Sequence, residues 1–156
     1  MRTGFELGAV APFRLDLTVW ALRRRPGNSV DRWDGRTYAR TLPIAGAVAE
    51  VDVVQVGTDD VPRLRVTVTA DGSIARDQVH AETADMLRHT LGLEVDLGDF
   101  YRRAARDPNL QGLSERFRGL KPPRFPSLFE CLANAIACQQ LTVTVGIELL
   151  NRLAAA

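Results

Sequence analysis

Cysteine is scarce in this 156-residue chain, which has only Cys131 and Cys138. On a helix, their spacing of seven residues places them about 10 Å apart along the axis, at about 1.5 Å per residue. That separation is too long for a disulfide, and no neighbouring His or Cys completes a zinc ligand set. We therefore expect two buried free thiols, no metal and no cofactor, in a reducing, cytoplasmic setting.

Long hydrophobic runs are also absent. No apolar stretch reaches the roughly 18 residues that a membrane span needs, and the N-terminus lacks a signal-peptide pattern. The sequence therefore predicts no membrane contact. Its 46% hydrophobic and 25% charged residues are ordinary for a soluble globular protein, and a chain of this length can bury a core.

An excess of charge of one sign is lacking as well. The 20 basic and 19 acidic residues give a formal net charge of +1, so no global basic field indicates nucleic acid. Lys121 is the only lysine, and arginines cluster at residues 23–25, 102–103 and 116–124. Such runs are most simply solvated surface, although the planar fork of arginine suits phosphate.

Motifs of known chemistry are missing too. The sequence has no Gly-rich phosphate loop, no nucleophile elbow and no zinc-ligand cluster. His80 and His89 are nine residues apart rather than the four that would place two ligands on one helix face. We interpret both as surface or half-buried residues. Spacing alone therefore nominates no catalytic residue.

The first part of the chain carries the patterns of strands and turns. Residues 1–11 are interpreted as a loose leader. Leu15, Leu17 and Val19 then alternate with polar residues, which predicts a first strand that runs into Trp20. Three further strands are predicted at residues 36–42, 48–56 and 64–69. A hairpin loop is predicted at residues 57–62 and a closing turn at residues 70–73.

The hydrophobic period becomes helical from Ala75, and Gly92 is predicted to end that helix. The sequence therefore predicts the α+β class, with about four antiparallel strands and a helix. We place a first domain over residues 1–94 and a helical domain over residues 95–156.

The helical domain begins with two short helices. Asp96 can cap the first of these, and Asp107-Pro108 is expected to terminate it. Asn109 can cap the second. Three prolines then stiffen a linker over residues 119–126, because each proline fixes φ and removes an amide donor.

Two longer helices follow the linker. Ser127 and Glu130 fit a capping box, in which each side chain bonds to the amide of the other residue. Thr142 can cap the second helix. The run of β-branched residues over 141–145 leaves a strand as the alternative there.

Two consecutive amides, Gln139 and Gln140, occupy the turn between these helices. One interpretation is that they satisfy the helix end and face water. The other is that they meet DNA, because an enzyme that acts on a stacked base must extrude it and something must fill the gap. A flat amide that offers both donor and acceptor suits that task.

Several segments resemble one protein family. Leu91-Gly-Leu93, Asp96-Leu-Gly-Asp-Phe-Tyr101 and the stretch from Leu120 to Glu130 resemble the segment that opens the helical domain of 3-methyladenine DNA glycosylase II, within the helix-hairpin-helix superfamily. The stretch from Asn134 to Val143 resembles that family's helix and wedge loop. The strands, with Arg36 to Leu42, are similar to its small N-terminal domain, which resembles one half of the TATA-binding protein fold.

The resemblance implies a base-excision repair enzyme that hydrolyses the N-glycosidic bond of alkylated purines in damaged double-stranded DNA, as a monomer and without a metal. By position, Gln139, Gln140, Leu141 and Thr142 would form the wedge loop that enters the minor groove. Trp20 would lie near the base pocket, with a core tryptophan as the alternative.

The family's catalytic aspartate, which supports an oxocarbenium-like sugar, matches no acidic residue of this chain. Its phosphate-gripping hairpin would lie beyond Ala156. We therefore expect this truncated chain to be inactive alone. The alternative from another class is a non-enzymatic nucleic-acid-binding or interaction module built on the TATA-binding-like sheet.

Overall fold

The computed structural model describes residues 1–72 and 74–156. In chain order, the described residues form β1 (Arg2–Gly8), α1 (Leu15–Arg23), β2 (Arg32–Trp33), β3 (Thr37–Ile44), β4 (Ala47–Gln55), β5 (Arg63–Ala70), α2 (Arg76–Leu91), α3 (Gly98–Ala104), α4 (Pro108–Arg116), α5 (Leu128–Cys138) and α6 (Val143–Ala154). The predicted α+β class is confirmed. The closing turn predicted over residues 70–73 begins where β5 ends, and its last residue, Ser73, lies outside the described residues.

The strands form one antiparallel sheet in the order β1-β5-β4-β3-β2. Side chains alternate between its two faces, and the inward set, such as Leu64 and Val66 on β5, is fully buried. The predicted hairpin of β4 and β5 is confirmed by their register, in which Val53 pairs with Val66. Val19 of α1 and Leu87 of α2 belong to the same core, so these helices cover one face of the sheet.

The first predicted strand is wrong, because its residues form α1. The buried positions of α1 follow the helical spacing i, i+3, i+4, i+7: Leu15, Thr18, Val19 and Leu22. Thr18 reads as polar in the alternating pattern, but it is buried and its hydroxyl accepts a bond of 3.1 Å from the amide of Lys121. Trp20 therefore lies within a helix rather than at the end of a strand.

The loose leader predicted for residues 1–11 is also wrong. Residues Arg2–Gly8 form β1, an edge strand that pairs antiparallel with β5 from Arg2 opposite Thr69 to Gly8 opposite Arg63. The ammonium group of Met1 extends the pairing by donating to the carbonyl of Ala70 at 2.6 Å. Backbone pairing, rather than a strong apolar pattern, orders this segment.

One of two predicted helix boundaries after the sheet is confirmed. Gly92 ends α2 with a left-handed φ of 62°, a conformation that glycine adopts without steric cost. The predicted cap of α3 is wrong, because Leu97 holds the cap position. The carboxylate of Asp96 instead accepts a bond of 2.7 Å from the amide of Gly98, at the start of α3.

The predicted cap of α4 is wrong. Asp107, not Asn109, caps this helix, and its carboxylate accepts a bond of 2.8 Å from the amide of Asn109. Pro108 occupies the first turn, where a missing amide donor costs nothing. Asp107-Pro108 was expected to terminate the preceding helix. In the structure this pair begins α4.

Lys121 is fully buried in the linker before α5. Its ammonium group donates to the carbonyl of Val95 at 2.5 Å. The only lysine of the chain therefore fastens the linker to the segment after α2 and is not available for an external phosphate.

The predicted caps of α5 and α6 are confirmed. The hydroxyls of Ser127 and Thr142 accept bonds of 3.2 Å and 3.4 Å from the amides of Glu130 and Val145. The capping box is half formed, because the carboxylate of Glu130 binds the buried guanidinium of Arg40 instead of the amide of Ser127. The start of α6 is helical, so the alternative of a strand there is wrong.

Both cysteines are free, as predicted. Their predicted burial holds only in part, since Cys138 is half-buried and Cys131 is exposed on the outer side of α5. Within the described residues, every helix is too short or too polar to span a bilayer.

Candidate functional site

The turn between α5 and α6 is a tight corner. A β-carbon added to Gly146, in the first turn of α6, would lie 2.6 Å from the sulfur of Cys138 and 2.9 Å from the carbonyl oxygen of Ala137. The two helices can therefore approach this closely only because residue 146 has no side chain. This close contact goes with a short turn of four residues, 139–142, between the two helices.

The residues at this corner face solvent. Gln139, Gln140, Leu141 and Thr142 are all exposed. The amide of Gln139 donates to the carbonyl of Ile136, which pairs one of the carbonyls at the end of α5. The exposure of both glutamines fits either interpretation, a water-facing helix end or a contact with DNA.

Trp20 is not a core residue, so that alternative is wrong. Its side chain is 62% exposed and is stacked on the ring of Phe117, with a centroid separation of 5.9 Å and an interplanar angle of 17°. The guanidinium of Arg116 lies 5.5 Å from the centre of the Phe117 ring, within the range of a cation–π contact. The result is an exposed aromatic platform with a cation at its edge.

A cleft of about 350 Å³ adjoins this platform. Both tryptophans of the chain and the run of three arginines line it, with the remaining walls given by Asp16, Leu17, Val19 and Pro26. The carboxylate of Asp16 is bound by Arg14 at 2.5 Å. One guanidinium nitrogen of Arg23 donates to the carbonyl of Trp33 at 3.3 Å. The cleft is therefore apolar at its walls and basic at its rim.

Arg24 joins the cleft to the corner. It lines the cleft and lies one helical turn from Trp20. Its guanidinium donates to the side-chain oxygen of Asn134, and to the sulfur of Cys138 at 3.5 Å. Because Cys138 directly precedes Gln139, Arg24 links the cleft that Trp20 lines to the helix end from which the predicted wedge loop begins.

A buried ion-pair network lies behind α5. Arg40 on β3 is 2% exposed and contacts Asp31 at 2.6 Å and the carboxylate of Glu130. The hydroxyl of Tyr38 also donates to Asp31, at 2.9 Å. Burial opposes the charge of Arg40, but the neighbouring carboxylates raise the pKa of its guanidinium above the usual range. Arg40 is therefore a permanent cation that binds the sheet to α5.

Sequence reasoning missed several of these residues. The sequence pattern marked neither Phe117 nor Trp33 as a site residue, and it placed Arg40 only within the predicted strand over residues 36–42. Arg24 was part of a basic run interpreted as solvated surface. One signal was available for Arg40: a charged residue stood between Tyr38 and Leu42 at inward positions of a strand, and a buried charge requires a partner.

No metal site is evident: within residues 1–72 and 74–156, no group of three or more His, Cys, Asp or Glu residues could hold an ion.

The fold is similar to that of a solved structure, 3-methyladenine DNA-glycosylase from Archaeoglobus fulgidus. The two are 23% identical with a TM-score of 0.66, and the alignment covers 94% of this chain and 47% of that chain. The chain thus spans about half the length of that structure, and at this identity the likeness shows the fold. No family model matches the sequence, and no curated protein matches it.

Proposed function

We propose that the chain belongs to a base-excision DNA glycosylase that hydrolyses the N-glycosidic bond of alkylated purines, and that the α5–α6 corner is its contact with duplex DNA. The observation that carries the proposal is the exposed pair Gln139 and Gln140 on a tight two-helix corner, which Arg24 links to the cleft lined by Trp20. The fold likeness to a 3-methyladenine DNA-glycosylase supports it.

The corner has the chemistry of a wedge. A base that reacts must leave the stack, which opens a gap and orphans its partner base. A flat glutamine amide can fill that gap and also hydrogen-bond to the orphaned base, since it carries both donors and an acceptor. Leu141 next to the pair adds exposed apolar surface that can replace lost stacking.

The aromatic platform has the chemistry of a base contact. An extruded base can stack on an exposed ring, and base–aromatic stacking is worth about 1–3 kcal/mol. Trp20 offers such a ring. The arginines at the cleft rim can neutralise phosphates, which predicts binding that weakens as salt concentration rises.

We assign no catalytic residue. The carboxylate in the cleft, Asp16, is bound by Arg14, and the carboxylate of Glu130 is bound by Arg40. Neither is free to stabilise a developing positive charge on a sugar. From these 156 residues we therefore expect duplex binding without base release.

The test measures affinity for a duplex that carries one alkylated purine, using the wild-type chain and the double variant Gln139→Ala/Gln140→Ala. Loss of the wedge should weaken binding by roughly 5- to 150-fold, the effect of about 1–3 kcal/mol for two lost hydrogen bonds of about 0.5–1.5 kcal/mol each. Gln111→Ala is the matched control, because it removes an exposed glutamine from α4, and it should bind as the wild type does.

A duplex with 2-aminopurine opposite the lesion reports insertion directly, since its fluorescence rises when stacking is lost. Equal affinity and equal fluorescence for the wild type and the double variant would contradict the wedge. Release of the alkylated base by the isolated chain would contradict our expectation of duplex binding without base release.

A further inference from the structure

Helix α5 is attached to the rest of the molecule by its polar side. Glu130, Asn134 and Cys138 are spaced by four residues, so they lie on one face, and all three are half-buried. A second stripe with the same spacing, Leu128, Leu132 and Ile136, is 74%, 53% and 73% exposed. This orientation is the reverse of the usual one for an amphipathic helix.

Two arginines bind the polar stripe at its two ends. Arg40, buried on β3, holds Glu130 in the first turn of α5. Arg24, at the end of α1, binds Asn134 and Cys138 in the last two turns. The amide nitrogen of Asn134 also donates to the carbonyl of Glu130 at 2.9 Å, which fixes the orientation in which its oxygen faces Arg24.

The backbone of Arg24 is strained. Its φ is 61°, a left-handed conformation that is costly for residues with a β-carbon and that glycine adopts freely. Strain of this kind persists only where other contacts compensate, and it clusters at functional positions. The contacts that an arginine makes here and a glycine would not make are those to Asn134 and Cys138, together with a guanidinium 5.9 Å from the ring centre of Phe125.

Directional bonds fix a helix more sharply than apolar packing does. A shift of α5 by one turn, about 5.4 Å, would break every bond of Arg24 and Arg40 to the polar stripe. An apolar contact would lose only part of its buried area in the same shift. The bonds of the two arginines therefore oppose such a shift of α5 along its axis.

We propose that Arg24 is a positioning residue, which, together with Arg40, fixes the last turn of α5 and so places Gln139 and Gln140. The proposal that Arg24 positions the end of α5 rests on its contacts alone. Its consequence for DNA binding rests on the proposed function of the corner.

Hydrogen exchange without DNA tests the placement. Arg24→Gly removes the side chain and relieves the backbone strain, so it should not unfold the chain. The amides of Cys138 and Gln139 should exchange about tenfold faster, as expected when a hydrogen bond from a charged donor is lost. The amides of Val53 and Val66 in the sheet should be unchanged.

Ala45→Gly is the matched control, because Ala45 is another non-glycine residue with positive φ, at 51°, and it lies outside the contacts to α5. It should leave the exchange at Cys138 and Gln139 unchanged. Asn134→Ala removes the same bond from the other side without altering position 24, and it should accelerate the same two amides. If exchange at Cys138 and Gln139 stays within about twofold of wild type in both Arg24→Gly and Asn134→Ala, the proposal is overturned.

Binding to the alkylated duplex separates this proposal from the proposed function. Arg24→Lys keeps the charge, but one ammonium group cannot reproduce the fork that binds two partners. We expect it to weaken affinity about as much as Arg24→Gly does. Arg76→Ala removes a charge at the far end of α2 and should have little effect.

The outcomes are distinguishable. If the wild type does not bind duplex DNA, the proposed function fails while the exchange experiment still decides the placement. If Gln139→Ala/Gln140→Ala weakens binding but Arg24→Lys does not, and exchange is unchanged in both test variants, the corner binds DNA and Arg24 does not position it.

Discussion

The sheet unit, formed by the five strands with α1 and α2, and the α5–α6 hairpin are held in place by different physics. The sheet unit is held by apolar burial: Leu64, Val66 and Val53 are fully buried. In the hairpin, α5 is held by directional polar contacts and contains no buried residue, while α6 buries Ile147. Apolar content therefore does not determine burial in this molecule.

The difference also separates two kinds of stability. Burial of area is non-directional and tolerates small shifts, so the sheet unit can act as a scaffold. Directional bonds lose their energy when geometry changes, so the polar contacts of α5 define its position accurately. A corner that must meet a partner at a defined point benefits from the second kind of attachment.

The largest expected effect comes from breaking the attachment at Arg40. Arg40→Met leaves Asp31 buried without its cation, and removal of one partner of a buried pair costs about 3–5 kcal/mol. Arg32→Met is the control, because the pair of Arg32 with Glu50 is surface-exposed, and such pairs contribute about 0–1 kcal/mol. Urea unfolding measures both. Equal losses would show that the buried network does not link the two regions energetically.

The same substitution placed in each region tests the comparison itself. Leu64→Ala, in the sheet core, should lower the free energy of unfolding by about 2–5 kcal/mol through lost burial and a cavity. Leu128→Ala, on the exposed stripe of α5, should change it by no more than about 0.5 kcal/mol. A loss above 2 kcal/mol for Leu128→Ala would mean that the stripe is covered in solution, and the contrast between the regions would fail.

Sequence patterns predicted the elements whose energetics are local. The hairpin of β4 and β5, the stop at Gly92 and the caps at Ser127 and Thr142 all follow from turn and cap chemistry that operates within a few residues. The patterns gave wrong predictions where the conformation of a segment depends on residues far away in the sequence. β1 is a strand because β5 offers it a paired edge, and α1 is a helix whose buried threonine finds its partner at Lys121, 103 residues away.

The same distinction between local and distant contacts applies to the residues of the candidate site. Gln139 and Gln140 could be found in the sequence, because two amides at a helix-to-helix turn form a local pattern. The stack of Trp20 on Phe117 and the contact of Arg24 with Cys138 join residues that are far apart in the chain. No spacing rule on one sequence could predict those pairs. The resemblance implied that Trp20 lies near the base pocket. The structure shows in addition that Trp20 stacks on Phe117.

A smaller effect is expected where the two helices of the hairpin touch. Gly146→Ala in an open helix would gain about 1 kcal/mol from helix propensity. Here the new methyl group meets the sulfur of Cys138 and the backbone of Ala137, and overpacking costs about 1–3 kcal/mol. We expect a net loss, with faster exchange at Gln139. Gly112→Ala in α4, where a β-carbon meets nothing, should instead stabilise, and a gain at Gly146 would show that the corner is loosely packed.

The smallest effect separates the regions by their response to acid. Amide donors from Thr37 and Arg36 lower the pKa of Asp34 below its ordinary value of 3.8. The side chain of Gln78 and the amide of Ala45 lower the pKa of Glu82 below 4.5. A depressed folded pKa gives stability that is present above the unfolded pKa and is lost as pH falls through the folded value.

Both of these carboxylates belong to the sheet unit, so the free energy of unfolding should decline as pH falls from about 5 to about 2. The double variant Asp34→Ala/Glu82→Gln should flatten that decline. Glu148→Gln on α6, an exposed position, should leave it unchanged. Urea titrations at several pH values measure the slope. If Glu148→Gln flattened the decline as much as the double variant, acid sensitivity would reside in the hairpin and not in the bonds that hold the loops of the sheet.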